Sequence, residues 1–156
     1  MRIGITGHRG LPEELEGVVR AMLAQELAQA GAQLTGVSCI ADGPDAWFAE
    51  EVLARGGRLE VVIPAEAYRA GLPPEYHETY DHLLRSAAEV HDTGLAVADE
   101  QAHMRGSELL VQRVERLLAV WDGRPARGYG GTADVVAYAG RFGVPVTVLW
   151  PDGAVR

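Results

Sequence analysis

The sequence predicts an α/β fold: a mainly parallel sheet with helices on both faces, in one domain. Three observations carry this. Segments of strand length are unbroken apolar runs, as strands buried on both faces are. Segments of helical period alternate with them along the chain. Glycine and proline clusters punctuate nearly every junction. With 156 residues and 47% hydrophobic composition, the chain fits one domain around a continuous core.

Taken in order, Arg2 to Thr6 reads as the first strand. The turn Gly7-His8-Arg9-Gly10 follows, with Pro12 where a helix favours proline at its first position. Leu15, Val18, Val19, Met22, Leu23 and Leu27 then repeat at the spacing of one buried helix face, stopped by Gly31. The same unit recurs: an apolar run from Leu34 to Ala41, the turn Asp42-Gly43-Pro44-Asp45, a helix to Arg55, and Gly56-Gly57 before a strand from Leu59 to Ile63. Between Pro64 and Gly106 the pattern loosens. Pro73-Pro74 opens a polar helix near 75–88, and Glu89-Val90-His91 is a short strand. Leu110, Val111, Val114 and Leu117 mark a helix beginning near Ser107. Leu117 to Trp121 is the next strand, and Asp122-Gly123 closes it. Val135, Val136, Ala139 and Phe142 form a last helix ended by Gly143, and Val144 to Trp150 is the final strand. Right-handed crossovers would join these strands.

The bulk numbers exclude several roles. A net charge of −8 disfavours a protein that coats duplex nucleic acid, although a local basic pocket fits within it. The single cysteine, Cys39, allows no internal disulfide and no multi-cysteine metal set, and its apolar neighbours suggest a buried thiol in a reducing compartment. No apolar run reaches ~18 residues, and the N-terminus enters a strand directly, so the expectation is a cytoplasmic chain with no membrane partner. No spacing demands a metal or a cofactor: His77 and His82 are five apart, and His91 and His103 stand alone.

Three glycine-bearing polar loops follow the first, second and penultimate strands, so a parallel sheet would gather them at one edge, where ligands bind. In the third, Gly128, Gly130 and Gly131 precede a helix, where close backbone approach and free N–H groups favour an anion; the plain alternative is a strand-to-helix connection with Thr132 as N-cap. None of the loops fits the dinucleotide fingerprint G-x-G-x-x-G or the lysine-bearing triphosphate loop. Arg9 offers a two-pronged grip on phosphate, or else a surface ion pair with Glu13 or Glu14. His8 offers a donor or proton carrier, or a strand-end cap. Asp45 and Asp42 are acceptors for ribose or base, or carboxylates at a helix start. Tyr129 and Trp121 present aromatic faces for a base, with core packing as the alternative, and Arg124 and Arg127 add positive charge around the loop.

The ordered set Ile3-Gly4-Ile5-Thr6-Gly7-His8-Arg9, Val37-Ser38-Cys39-Ile40-Ala41-Asp42-Gly43-Pro44-Asp45, Leu118-Ala119-Val120-Trp121-Asp122-Gly123 and Gly130-Gly131-Thr132-Ala133-Asp134-Val135-Val136 resembles the SLOG superfamily. These Rossmann-like domains are related to the DNA-processing protein of transformation and to LOG-type phosphoribohydrolases. The resemblance implies a pocket for a nucleotide, nucleotide-sugar or related phosphorylated metabolite, in a sensor or carrier. Ligand-binding positions would be Gly7, His8, Arg9, Gly43, Asp45, Gly130, Gly131 and Thr132, to which the glycine loop itself adds Gly128 and Tyr129. It also implies self-association, since relatives often form oligomers. Catalytic members carry a glutamate three residues after the threonine of G-T-x-x-E, and here that position is Val135. Their catalytic arginine has only Arg105 as a counterpart. An N-ribosidic hydrolase or transferase would therefore have to use an aspartate, namely Asp134, Asp45 or Asp122.

Overall fold

The computed structural model describes residues 1–156. Its elements run β1 (Arg2–Gly7), α1 (Glu16–Ala28), β2 (Thr35–Ser38), α2 (Pro44–Ala54), β3 (Arg58–Ile63), α3 (His77–Arg85), β4 (Glu89–Asp92), α4 (Glu100–Val111), β5 (Arg116–Val120), α5 (Thr132–Phe142) and β6 (Val146–Leu149). Short 3-10 turns lie at Glu13–Leu15, Arg69–Gly71 and Pro74–Tyr76. All five strand pairings are parallel, in the order β4-β3-β2-β1-β5-β6. The α/β fold with a parallel sheet is thus the one expected. The order runs outward from β1 in one direction to β4 and in the other to β6, so it reverses between β1 and β5. That reversal opens a crevice at the carboxyl ends of those strands.

Both faces are covered. Ile3, Ile5, Leu118 and Val120 pack with Val19, Leu23 and Leu27 of α1 and with Phe48 and Val52 of α2. Val37, Leu59 and Leu117 share the other core with Leu110, Val111, Val135 and Ala139 of α4 and α5. Gly4 and Gly36 admit these helices closely. A Cβ on Gly4 would stand 2.7 Å from Leu110, and one on Gly36 would stand 2.6 Å from Val52.

Four of the departures from the sequence reading have a local reason. α4 begins at Glu100 rather than near Ser107, because Asp99 caps it by accepting from the Ala102 N–H at 2.8 Å. β2 stops at Ser38 although the apolar run continues to Ala41. Ile40 adopts φ +47, a conformation that ends a strand and is rare for a β-branched residue. It is held there by the Ser38 hydroxyl, which accepts from its N–H at 2.9 Å, and by Tyr76, whose hydroxyl donates to its carbonyl at 2.9 Å. Pro12 caps the 3-10 turn that precedes α1 instead of opening the helix itself. Gly131, not Thr132, is the N-cap of α5, while Gly143 ends that helix in the left-handed conformation as its position implies. No helix is long and apolar enough to cross a membrane.

At the amino end of the sheet, Arg2 grips Glu60 with two hydrogen bonds of 2.8 Å and donates through Nε to the Arg113 carbonyl at 2.6 Å. His91 donates to the same carboxylate at 3.1 Å. The Arg2 guanidinium, with burial opposing it and His91 assisting, holds the Glu60 carboxyl down at about 2. Ligand atoms of Glu60, Glu89 and His91 lie within 4.8 Å of one another. The carboxylate charge is already met by Arg2, so this cluster reads as an ion-pair network.

Candidate functional site

The crevice at the strand reversal is a cavity of about 390 Å³, within the size range of small-ligand sites. Its walls come from the loop after β1 (Gly7, His8, Arg9, Gly10), the end of β2 and start of α2 (Cys39, Ala41, Asp45), and the loop before α5 (Ala126 to Thr132). Pro64, Tyr68, His103, Ser107 and Arg156 complete it. The structure therefore brings together nine of the expected ligand-binding positions: Gly7, His8, Arg9, Asp45, Gly128, Tyr129, Gly130, Gly131 and Thr132.

Gly43, Asp134 and Asp122 lie outside its lining. Gly43 takes φ +95 at the N-cap of α2. Asp134 turns back to accept from the Gly130 N–H at 2.9 Å, which fixes the glycine loop from within. Asp122 is fully engaged: it accepts from the Arg124 N–H at 2.9 Å, pairs with His8 at 3.3 Å, and pairs with Arg156 at 2.9 Å. Burial pushes its carboxyl up, but those donors outweigh it and leave it below the usual range.

Asp45 is thus the only carboxylate on the cavity wall. Burial pushes its carboxyl up to about 7, and the Ala41 N–H at 3.3 Å only partly opposes this. At neutral pH it is present in both forms, able to donate or accept. The raised value favours the folded state below the unfolded value, where both states are protonated. That advantage is lost as pH rises toward the folded value. Asp45→Asn should therefore stabilise the protein by about 2 kcal/mol near pH 8, a figure discounted for partial exposure, and by almost nothing near pH 4. Urea melts at the two pH values check this; equal effects at both would refute it.

Around Asp45 stand polar groups without partners. Thr132 and Tyr68 are 6% and 5% exposed, border the cavity, and make no side-chain hydrogen bond within the chain. His103 meets the Tyr68 ring edge-on at 5.7 Å, and burial, with Arg9 nearby, lowers its pKa. The α5 N-terminus has no side-chain cap, leaving its first N–H groups free at the cavity edge. Arg9 is tied to Asp42 at 2.7 Å on the rim rather than to Glu13 or Glu14. Arg127 is exposed and has no ion pair. Tyr129 is 56% exposed, its ring open to solvent. Trp121 is turned away from the cavity, its indole donating to the Arg124 carbonyl at 2.8 Å.

Several lining residues escape the sequence reading. His103 and Ser107 are four apart on one face of α4, a spacing that is visible once that helix starts at Glu100. Tyr68 and Arg156 carry no local motif. Arg156 also borders a second cavity, of about 530 Å³, between the loop after β5 and the segment Trp150–Val155.

No family model and no curated protein matches the sequence. Solved structures do. DNA processing protein A from Helicobacter pylori, studied for its single-stranded DNA binding mode, aligns over 99% of this chain and 67% of its own, with a TM-score of 0.70 and 16% identity. The protein of the same name from Streptococcus pneumoniae aligns over 94% of this chain and 49% of its own, with a TM-score of 0.65 and 15% identity. The molybdenum cofactor carrier protein of Chlamydomonas reinhardtii aligns over 97% of this chain and 78% of its own, with a TM-score of 0.59 and 22% identity. At these identities the likeness is one of fold, a Rossmann-like α/β domain.

Proposed function

We propose that this chain binds a nucleotide or a nucleotide-like phosphorylated metabolite in the cavity between β1 and β5. One observation carries the reading: in a chain of net charge −8, the cavity is lined by Arg9, Arg127 and Arg156 against a single carboxylate, Asp45. The uncapped start of α5 adds to that preference for an anion. The remaining wall, with Asp45, Tyr68, His103 and Ser107, offers hydrogen bonds suited to a polar ring or a sugar. The chain's likeness to a cofactor carrier and to single-stranded DNA binders supports a nucleotide-like ligand, with the carrier the nearer analogue for an acidic chain.

A second reading, cleavage or transfer at an N-ribosidic bond, draws on one feature. A carboxyl titrating near 7 suits proton transfer, and Asp45 is the carboxylate within the cavity. Asp134 and Asp122 are engaged elsewhere in the fold.

A thermal-shift panel of nucleoside mono-, di- and triphosphates, nucleotide sugars, ribose phosphates and a short single-stranded oligonucleotide tests the proposal. A true ligand at about 100 times its dissociation constant stabilises by about 2.7 kcal/mol, and Arg127→Ala should reduce the shift. Silence across the whole panel would refute a phosphorylated ligand. Chromatography of each hit after incubation separates the two readings, since only an enzyme releases base, and only an enzyme would lose that release in Asp45→Asn.

A further inference from the structure

We propose that Arg156 is the side chain that grips the anion in this cavity, and that Asp122 and neutral His8 position it; this rests on reading the cavity as an anion site. The guanidinium of Arg156 is held on three sides. Its Nε lies 2.9 Å from Asp122 Oδ2, Nη1 stands against the His8 ring, 2.8 Å from Nδ1 and 3.3 Å from Nε2, and Nη2 donates to the Pro125 carbonyl at 3.2 Å. A guanidinium has five N–H groups, so two remain for a ligand on a side chain that lines the cavity and is only 14% exposed.

A guanidinium and a protonated imidazole are both donors only, so the contact is favourable while His8 is neutral. The Asp122 N–H donates to His8 Nε2 at 3.3 Å, and Asp122 Oδ1 lies 3.3 Å from the same nitrogen. Trp150 meets the His8 ring edge-on at 5.7 Å, and its indole donates to the Ala154 carbonyl at 3.1 Å, which folds the segment after β6 back toward the cavity. The guanidinium is therefore fixed before any ligand arrives, and little rotamer freedom is left to lose. Arg9 is paired with Asp42 and Arg127 is exposed, so neither is held in this way.

Protonation of His8 sets two cations against each other. The charged groups facing His8 are Asp122 from the loop after β5, Arg127 from the loop before α5, and Arg156 itself. Asp45 and His103, on other walls, also gain protons on acidification and by themselves tighten any anion. The informative quantity is thus the share of affinity that depends on Arg156, compared across pH.

Inorganic sulfate is a suitable probe, because its charge does not change across the range. NMR titration of the whole chain, with the amide spectrum reporting that each variant is folded, gives the affinities. At about pH 7.5, Arg156→Ala should weaken sulfate about tenfold; at about pH 4.5, low enough for a histidine whose pKa burial and Arg156 depress, the loss should shrink to about twofold. His8→Gln keeps an acceptor for Arg156 but cannot titrate. In that background Arg156→Ala should cost about tenfold at both values. If Arg156→Ala binds sulfate like the wild type at the higher pH, the inference falls and the anion site stands. An equal loss at both values in the wild-type background would remove the positioning role of His8. Wild-type protein that binds no sulfate would overturn both readings.

Discussion

Arg2→Met is expected to destabilise the protein by about 3–5 kcal/mol, because it leaves the buried Glu60 carboxylate facing only His91 and, at 3.9 Å, the exposed Arg58. The substituted chain loses the two bonds to Glu60 and the one to the Arg113 carbonyl, which together tie β1, β3 and the end of α4. The pH dependence gives an independent check. Glu60 sits at about 2 in the fold against 4.5 for a free glutamate. Its contribution is therefore fully present above about 4.5 and is lost as pH falls toward about 2, amounting to about 3 kcal/mol. In Arg2→Met that acid-induced decline should largely vanish from denaturant melts across the window. A variant as stable as the wild type, with the same acid decline, would refute the account.

Gly130→Ala should cost about 3 kcal/mol and abolish ligand binding. The residue stands at φ +86, which a side chain resists, and a Cβ there would come within 2.9 Å of the Glu100 carbonyl. Backbone on both sides leaves no flexible side chain to yield. The expected result is a melting temperature lower by roughly 6–12 °C together with loss of any thermal shift found in the wild type. Gly128→Ala is the control: its Cβ would meet the Glu100 side chain at 3.1 Å, which can swing aside, so a small loss is expected. If both glycines tolerated alanine equally, the loop would not be keyed to α4.

These glycines show how far the sequence could be read. Gly130 and Gly131 were legible as essential, but as places where backbone approaches a ligand. In the fold they admit the chain's own atoms, the Glu100 carbonyl and the Ala126 side chain. The strand-and-helix order was legible because each element carries its own period. The strand-ending bend at Ile40 was not, because a buried isoleucine gives no local sign of a left-handed backbone, and one of the two side chains that hold it, Tyr76, lies far along the chain. Asp122 looked like a free carboxylate for the same reason, since its partner Arg156 becomes a neighbour only in three dimensions, whereas Asp134 turns back four residues onto the Gly130 amide, a local bond that no motif announces. Arg156, 148 residues from His8, lay beyond any motif.

The Arg2–Glu60 network and the cavity lie at opposite ends of one sheet. Proteins that build recognition into strained or charged sites commonly give up stability for it. Here the bond network that secures the strands and the loops that line the cavity share no residue, so the two can drift independently over evolutionary time. A lineage could exchange the loops at one pole for a new chemical taste while the other pole kept the scaffold intact, which is how a single architecture comes to serve unrelated tasks.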